Sequence, residues 1–250
     1  MTDIVEWPAV QRHTPARIGL GRVGVSLPTV RHLGFQLAHA QARDAVHALL
    51  DGAGIAAALA DAGHEVLQLR SMAPDRAAYL RRPDLGRRLD PSLHQALRPG
   101  SCDIAFIIAD GLSATAVNTQ AADVVREVLA ILPPLRIGPV CLVEQGRVAV
   151  GDEVGVLLGA ALVVMLIGER PGLSAADSMG AYITYNPAIG TADAARNCVS
   201  NIRPHGLGLV EAGGTIANII LAARQHGLTG VELGTRMNVV HNRAKPPSLL

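Results

Sequence analysis

The stretch that decides the fold is "VVMLIGERPGLS", Val163 to Ser174. Its apolar part belongs to the longest apolar run of the chain, residues 160–167, which ends abruptly at "GERPG", residues 168–172. Two shorter apolar runs, in "DIAFIIADGLS" and "PVCLVEQG", also lead into loops that contain glycine, and helical patterns separate the runs. Apolar runs without alternation are typical of strands that are buried on both faces. The sequence therefore predicts an α/β domain with a doubly wound parallel sheet.

The first third of the chain is predicted to be mainly helical. Apolar spacing behind Pro28 predicts a helix over residues 29–50, and "IAAALADAG", residues 55–63, predicts a second helix that ends at a glycine. The strand candidate before residue 100 is "HEVLQL". We therefore expect three parts: a flexible tail at residues 1–16, a small helical N-terminal domain at residues 17–95, and a Rossmann-like domain at residues 96–250.

Two loops are predicted to share a ligand-binding crevice. "ADGLS", residues 109–113, and "GERPG" each follow an apolar strand. In open parallel sheets, ligands bind beyond the carboxyl ends of the strands, so both loops should face one crevice. Glycines let a ligand approach the backbone, and Pro171 stiffens the second loop. The alternative is an ordinary turn in which Glu169 and Arg170 face water.

Composition excludes several classes of protein. The net charge is +1 and aromatic residues make up 2% of the chain, which argues against a nucleic-acid partner. No apolar segment is long enough to span a membrane, and the N-terminal residues do not resemble a signal peptide. The cysteines are far apart and form no CxxC pair, so we expect no zinc site and a reducing cytosol. They are Cys102, Cys141 and Cys198.

Most sequence motifs in the chain do not support catalysis. "GLGRVG", residues 19–24, has the spelling of a dinucleotide fingerprint, but no apolar strand precedes it. Ser113 does not lie in a GxSxG motif. Cys198 lies next to a basic stretch in "ARNCVSNIRP", but no base is predicted to pair with it, so a contact role is favoured over a nucleophilic one. The histidines of the first helix are too far apart to share one metal ion. They are His32, His39 and His47.

Two polar segments of the N-terminal third are candidates for contact with a partner. "HAQARDAVH", residues 39–47, predicts a polar helix face. "RRPDLGRRL", residues 81–89, places four arginines around Asp84. A solvent-exposed loop is one interpretation of this cluster. Arginines could also bind a partner's carboxylates or a phosphate, because the guanidinium group donates in pairs.

Seven stretches between residues 17 and 225 occur in a recognisable order. Together they resemble the light (small) subunit of bacterial ethanolamine ammonia-lyase, and none of them is a generic motif. They are "GRVGVSLPT", "HAQARDAVH", "YLRRPDLGRRL", "ADGLSATAV", "GRVAVGDEVGVLLGA", "VVMLIGERPGLSAADSMGAYITY" and "RNCVSNIRP".

The resemblance implies an adenosylcobalamin-dependent lyase that converts ethanolamine to acetaldehyde and ammonia. A large subunit, a TIM barrel, would hold ethanolamine and the residues of the radical reaction. The light subunit would contribute to a cobalamin site at the subunit interface, with contacts at Val148, Glu169 and Cys198. It would contain no catalytic residue and no metal site. Because the chain lacks a DxHxxG motif, the cofactor is expected to keep its own base on cobalt.

The resemblance also implies a hetero-oligomer with the large subunit, in the cytoplasm and without a nucleic-acid or membrane partner. Relatives with a longer N-terminal extension are associated with packaging into a bacterial microcompartment, and the short extension here argues against packaging. An alternative function is a non-catalytic Rossmann-like binding or assembly module that no longer binds cobalamin. A nucleotide-dependent oxidoreductase that uses residues 19–24 is disfavoured by the context of that motif.

Overall fold

A mixed sheet of six strands, in the order β1-β3-β2-β4-β5-β6, forms the centre of the chain. The structure is a computed structural model that describes residues 11–14 and 16–244. The strands are β1 (Val66–Arg70), β2 (Ile104–Ala109), β3 (Val140–Glu144), β4 (Leu162–Gly168), β5 (Met179–Tyr185) and β6 (Asn197–Ile202).

Helices cover both faces of the sheet. They are α1 (Thr29–His47), α2 (Gly52–Ala60), α3 (Arg76–Arg81), α4 (Ala114–Ile131), α5 (Val150–Leu158), α6 (Leu209–His226) and α7 (Val231–Ala244). Short 3-10 helices lie at Leu85–Arg87, Pro91–Ala96 and Asp193–Ala195. Side chains of α2, α4 and α6 pack on one face of the sheet, and side chains of α5 pack on the other. Every residue of β2 and β4 is buried, which explains why their sequences do not alternate.

The α/β class is confirmed, and the sheet is mixed. β1, β3, β2 and β4 are parallel, whereas β4 pairs antiparallel with β5 and β5 pairs antiparallel with β6. A parallel connection needs a crossover of about a dozen residues or more, usually a helix. The segment between β4 and β5 contains no helix and folds back directly, so β5 reverses direction. The expectation of parallel strands therefore holds for the first four strands only.

The sheet extends across the domain boundary expected at residue 96. β1 comes from the segment that was expected to be helical, and its residues pair in parallel with β3 from Val66↔Val140 to Arg70↔Glu144. The division into domains stays a prediction. Of the expected tail at residues 1–16, residues 1–10 and 15 lie outside the described residues. The segment after Gly230 begins with α7, where Leu233 is buried.

The loops after β2 and β4 contact each other through their backbones. The amide of Leu112 donates to the carbonyl oxygen of Gly168 at 2.9 Å. Gly111 has a φ of +53°, and a Cβ at this position would overlap the Gly168 carbonyl. A Cβ on Gly168 would overlap the carbonyl oxygens of Asp110 and Ser113. Strand β4 therefore ends at a glycine because no side chain fits there.

Gly168→Ala should destabilise the chain by about 3 kcal/mol, because the added methyl group meets backbone atoms that cannot move independently. Gly172→Ala is the matched control in the same loop, since its nearest neighbour, the Ala175 Cβ, would be 3.9 Å away. The measurement is urea denaturation of both variants and the wild type. Equal stability of the two variants would contradict this account of the turn.

Candidate functional site

A cleft opens where the parallel strands end. We call this hollow, with its two lobes, the edge cleft. The Glu169 lobe has a volume of about 470 Å³ and is lined by Tyr79, Gly111, Leu112, Arg147, Val148, Ile167, Gly168, Glu169, Arg170 and Tyr182. The arginine lobe has a volume of about 530 Å³ and is lined by Arg87, Arg88, Arg147, Val148, Ala149, Glu153, Tyr182 and residues 189–193.

The prediction that the two loops share a crevice is confirmed. Gly111 and Leu112 from the first loop line the Glu169 lobe together with Gly168, Glu169 and Arg170 from the second. The lobes share Arg147, Val148 and Tyr182, so they lie side by side at this edge of the sheet. Its location agrees with the rule that ligands bind beyond the carboxyl ends of parallel strands.

Glu169 does not simply face water. It is half-buried, and its Oε2 accepts a hydrogen bond from the Ser178 hydroxyl at 2.5 Å. The same oxygen accepts from the amide of Asn201 at 3.3 Å. These bonds fix the carboxylate between β5 and the end of β6 and leave some of its acceptor positions free. The neighbouring Arg170 is exposed, as the ordinary-turn interpretation expected for both residues.

The other two predicted cofactor contacts, Val148 and Cys198, differ in their relation to the edge cleft. Val148 lies in the turn between β3 and α5 and lines both lobes. Cys198 is exposed on β6, opposite Tyr182 of β5, and lines neither lobe. Cys198 is therefore connected to the edge cleft through the Tyr182 side chain. The structure brings the three predicted residues together around this tyrosine.

Tyr182 is a cleft residue that sequence reasoning missed. It lines both lobes, and burial, together with the neighbouring Cys198 and Glu169, raises its pKa to about 12. Its hydroxyl therefore stays protonated at neutral pH and can donate a hydrogen bond. The signal available in the sequence was the scarcity of aromatic residues, since the chain has three tyrosines.

The environment of Cys198 does not activate its thiol. Although Cys198 is exposed, partial desolvation of its sulfur raises the thiol pKa, the Tyr182 hydroxyl lowers it by a smaller amount, and the nearby Glu169 carboxylate raises it further. The net effect is a raised pKa, which keeps the thiol protonated at neutral pH. Because the thiolate is the nucleophilic form, this environment favours a contact role over a nucleophilic role.

A buried cluster of charges lies behind the edge cleft. Asp110 is 1% exposed and accepts hydrogen bonds from the amide of Gly146 at 3.2 Å and from Arg76 at 3.3 Å. Arg76 also lies over the Tyr79 ring, with its guanidinium carbon 4.7 Å from the ring centroid. Burial raises the pKa of Asp110 to about 6, although the Arg76 charge and backbone hydrogen bonds lower it.

Two of the four arginines in "RRPDLGRRL" bind carboxylates of the same chain. Arg82 donates to Asp84 in two hydrogen bonds of 3.0 and 2.7 Å. Arg88 donates to the buried Glu153 in two hydrogen bonds of 2.9 and 3.2 Å. Burial raises the pKa of Glu153, but the bonds from Arg88 and from a backbone amide outweigh it, so the net pKa is lowered. Arg88 therefore has an internal role and is a poor test of an interface.

Other motifs from the sequence are not built into the edge cleft. Residues 19–24 form a loop, with Gly24 at a φ of +62° and no strand before it in the described residues. Ser113 caps α4 and donates to the carbonyl of Ala176 at 2.7 Å. His32, His39 and His47 are exposed. Within residues 11–14 and 16–237, whose side chains the structure describes, no group of three metal-binding side chains is found.

No helix in the described part of the chain combines the length and the apolar character that crossing a bilayer requires.

The fold and the edge cleft define a class: an α/β subunit with a ligand cleft at the carboxyl ends of its parallel strands. Comparison with known proteins is more specific. The sequence model of the family "Ethanolamine ammonia-lyase light chain (EutC)" matches residues 5–234. The chain belongs to the ethanolamine ammonia-lyase light-chain family, as the resemblance predicted.

Curated relatives agree with this assignment. The chain is 54% identical to the ethanolamine ammonia-lyase small subunit of Ralstonia nicotianae over 235 residues, which are 91% of this chain and 87% of the relative. It is 49% identical to the small subunit of Pseudomonas fluorescens over 252 residues, with 98% and 91% covered. It is 51% identical to that of Xanthomonas campestris pv. campestris, with 91% and 86% covered.

The raised pKa of Asp110 leads to a pH-dependent difference in stability between the wild type and Asp110→Asn. Its folded pKa of about 6 lies above the ordinary value of 3.8, so the folded chain binds this proton more tightly than the unfolded chain. Ionisation of Asp110 therefore reduces stability as the pH rises through this range. Between about pH 4 and pH 7, the free energy of unfolding of the wild type should fall by about 2 kcal/mol relative to that of Asp110→Asn.

Urea denaturation of both proteins at several pH values measures this difference. A difference that stays constant across the range would show that the Arg76 bond, and not burial, determines the pKa of Asp110.

Proposed function

We propose that this chain is the light subunit of an adenosylcobalamin-dependent ethanolamine ammonia-lyase, which converts ethanolamine to acetaldehyde and ammonia. The radical reaction takes place in the large subunit, and this chain holds part of the cofactor. The proposal rests on the positions of the three predicted cofactor contacts in the fold. Val148, Glu169 and Cys198 are far apart in the sequence, yet Val148 and Glu169 line one cleft with Tyr182, and Cys198 lies opposite Tyr182 on the next strand.

The residues of the edge cleft fit a cobalamin. A corrin ring is broad, largely apolar on its faces and surrounded by amide side chains. Val148, Ile167 and the Tyr182 ring offer apolar surface in the Glu169 lobe. The Glu169 carboxylate, held by Ser178, can accept hydrogen bonds from amide N–H groups. This combination of an apolar lining with a few fixed polar groups is typical of cofactor sites.

Adenosylcobalamin, when bound, supplies the radical that starts the reaction. The residues of this chain bind and orient it. Glu169 positions the amide groups, and Val148 excludes water from the apolar contact. Cys198 fills space beside Tyr182 as a protonated thiol. The chain supplies no acid, base or nucleophile in this proposal.

The partner in this proposal is the large subunit, in a higher hetero-oligomer. Helix α1 supports an interface, because it exposes apolar side chains that an isolated soluble chain would tend to bury. Among them, Val30 is 72% exposed, Leu37 is 61% exposed and Leu33 is 55% exposed. A cytoplasmic location is part of the proposal, since a reducing compartment keeps the free cysteines reduced.

The first experiment tests whether the light chain needs the large subunit to turn over ethanolamine. The purified light chain with adenosylcobalamin should not turn over ethanolamine, and addition of the large subunit should restore turnover. Absorbance in the visible range reports whether the assembled pair retains cobalamin. Turnover by the isolated light chain would contradict the proposal. An assembled pair that retains no cobalamin would favour the alternative of a non-catalytic assembly module.

Glu169→Ala should weaken cobalamin binding to the assembled pair of subunits by roughly 5- to 150-fold, because it removes a polar contact of about 1–3 kcal/mol. Cys198→Ala should weaken binding less, since a thiol is a poor hydrogen-bond partner. Equilibrium dialysis with absorbance detection gives the Kd values. Glu211→Ala, which removes an exposed carboxylate of α6, is the matched control and should bind like the wild type.

Two outcomes would contradict the assignment of these contacts. Wild-type binding by both Glu169→Ala and Cys198→Ala would show that cobalamin does not use this cleft. Loss of turnover in Cys198→Ala with unchanged cobalamin affinity would give the thiol a chemical role. Because Glu169 also holds Ser178 and Asn201, urea denaturation of Glu169→Ala should accompany the binding measurement.

A further inference from the structure

The arginine lobe of the edge cleft carries positive charge that the proposed contacts do not use. Arg87, Arg88 and Arg147 line it. Two carboxylates also line it, and each lies against an arginine other than Arg87 and Arg147. Glu153 is bound by Arg88 at 2.9 Å, and Asp193 lies 3.6 Å from Arg196.

Arg87 and Arg147 are left without a carboxylate. Within the described residues, neither forms an ion pair. Arg147 is half-buried, and burial of a charge is costly unless an opposite charge or hydrogen bonds compensate. Three guanidinium groups and two carboxylates therefore line the arginine lobe, a net excess of one positive charge.

Arg147 is held in place in a way that leaves donors free. One terminal nitrogen, Nη2, donates to the carbonyl of Tyr79 at 3.1 Å. The guanidinium carbon lies 4.5 Å from the centroid of the Tyr79 ring, and the Tyr79 hydroxyl donates to the carbonyl of Gly146 at 3.1 Å. A guanidinium has five N–H donors, so most of them remain available. Tyr79 orients Arg147 without neutralising its charge.

Arg87 is tied to Arg147 through its neighbour Gly86. The amide of Arg147 donates to the Gly86 carbonyl at 2.8 Å. A Cβ on Gly86 would lie 3.1 Å from the Arg147 Cγ and 2.9 Å from the Tyr79 ring, so a glycine is needed for this approach. The 3-10 helix that carries Arg87 is thereby fixed against the base of Arg147. One backbone contact thus holds together the two segments that carry these unpaired guanidinium groups.

We propose that Arg87 and Arg147 bind a phosphodiester, the anionic group in the nucleotide side chain of cobalamin. This inference rests on the proposed function. The two non-bridging oxygens of a phosphodiester match the paired donors of a guanidinium group. The same group would be repelled by Glu169 in the other lobe, whereas neutral corrin amides are compatible with that carboxylate. The two lobes thus distinguish the two ends of the cofactor by charge.

The test compares two ligands that differ in this group. Cyanocobalamin contains the phosphodiester, and dicyanocobinamide ends before it. Equilibrium dialysis with the assembled pair of subunits gives a Kd for each. Arg87→Gln should weaken cyanocobalamin binding by about 10- to 100-fold, the range for a lost charge-assisted hydrogen bond, and should change cobinamide binding less than about twofold.

Arg87→Gln is the main variant because Arg87 is exposed and its side chain has no hydrogen-bond partner in the described part of the chain. Arg147→Gln should show the same selectivity, but it also removes the contact of the guanidinium group with the Tyr79 ring and its hydrogen bond to the Tyr79 carbonyl. Arg81→Gln is the matched control. It removes an equal charge from the same segment, outside both lobes, and should bind both ligands like the wild type.

Three results would overturn the inference. One is an equal loss of affinity for both ligands, and another is no loss in either arginine variant. The third is weaker assembly of the subunits, measured by sedimentation, with unchanged cobalamin affinity, which would mean that the arginines bind carboxylates of the partner. If the wild-type pair of subunits binds neither ligand, the proposed function itself fails. This failure is seen without any substitution, so it can be told apart from a failure of the phosphodiester inference.

Discussion

The hydrogen bond of 2.9 Å between the Leu112 amide and the Gly168 carbonyl joins the loops that follow two neighbouring strands. It forms because neither Gly111 nor Gly168 carries a side chain at the point of contact. Glu169 directly follows Gly168, so the end of β4 determines where the Glu169 side chain meets the cleft. Asp110 comes directly before Gly111 and faces the interior. One backbone contact thus separates the buried carboxylate of Asp110 from the carboxylate of Glu169, which lines the cleft.

Three arginine–carboxylate pairs connect the segments that surround the cleft. Arg76 binds Asp110, Arg88 binds Glu153, and Arg196 binds Asp152 at 2.6 Å through Nη2. Each joins a segment far away in the sequence to β2 or to the first turn of α5. Buried pairs of this kind are weak evidence for stability, because desolvation opposes their attraction. Their consequence here is positional, since they fix the segments that line the arginine lobe.

The sequence was sufficient to predict the strands that are buried on both faces and the loops at their ends, because burial and glycine leave local patterns. It did not predict that β5 and β6 run antiparallel, since strand direction depends on the connection and not on side-chain order. The roles of Tyr182 and Arg147 were also missed. Arg147 is adjacent to the predicted Val148, but its orientation depends on Tyr79 and Gly86, which are distant in sequence.

The titratable groups near the cleft are consistent with a binding role for this chain. Tyr182, with a pKa of about 12, and the Cys198 thiol, with a raised pKa, both keep their protons at neutral pH. Asp110 has a pKa of about 6, suitable for proton transfer, but it is buried behind Gly111, bonded to Arg76 and outside both lobes. A general acid or base must reach the group that it protonates. Asp110 does not reach the cleft, and Tyr182, which does, keeps its proton, so neither group argues for proton transfer by this chain, in agreement with the proposal that the chain binds the cofactor.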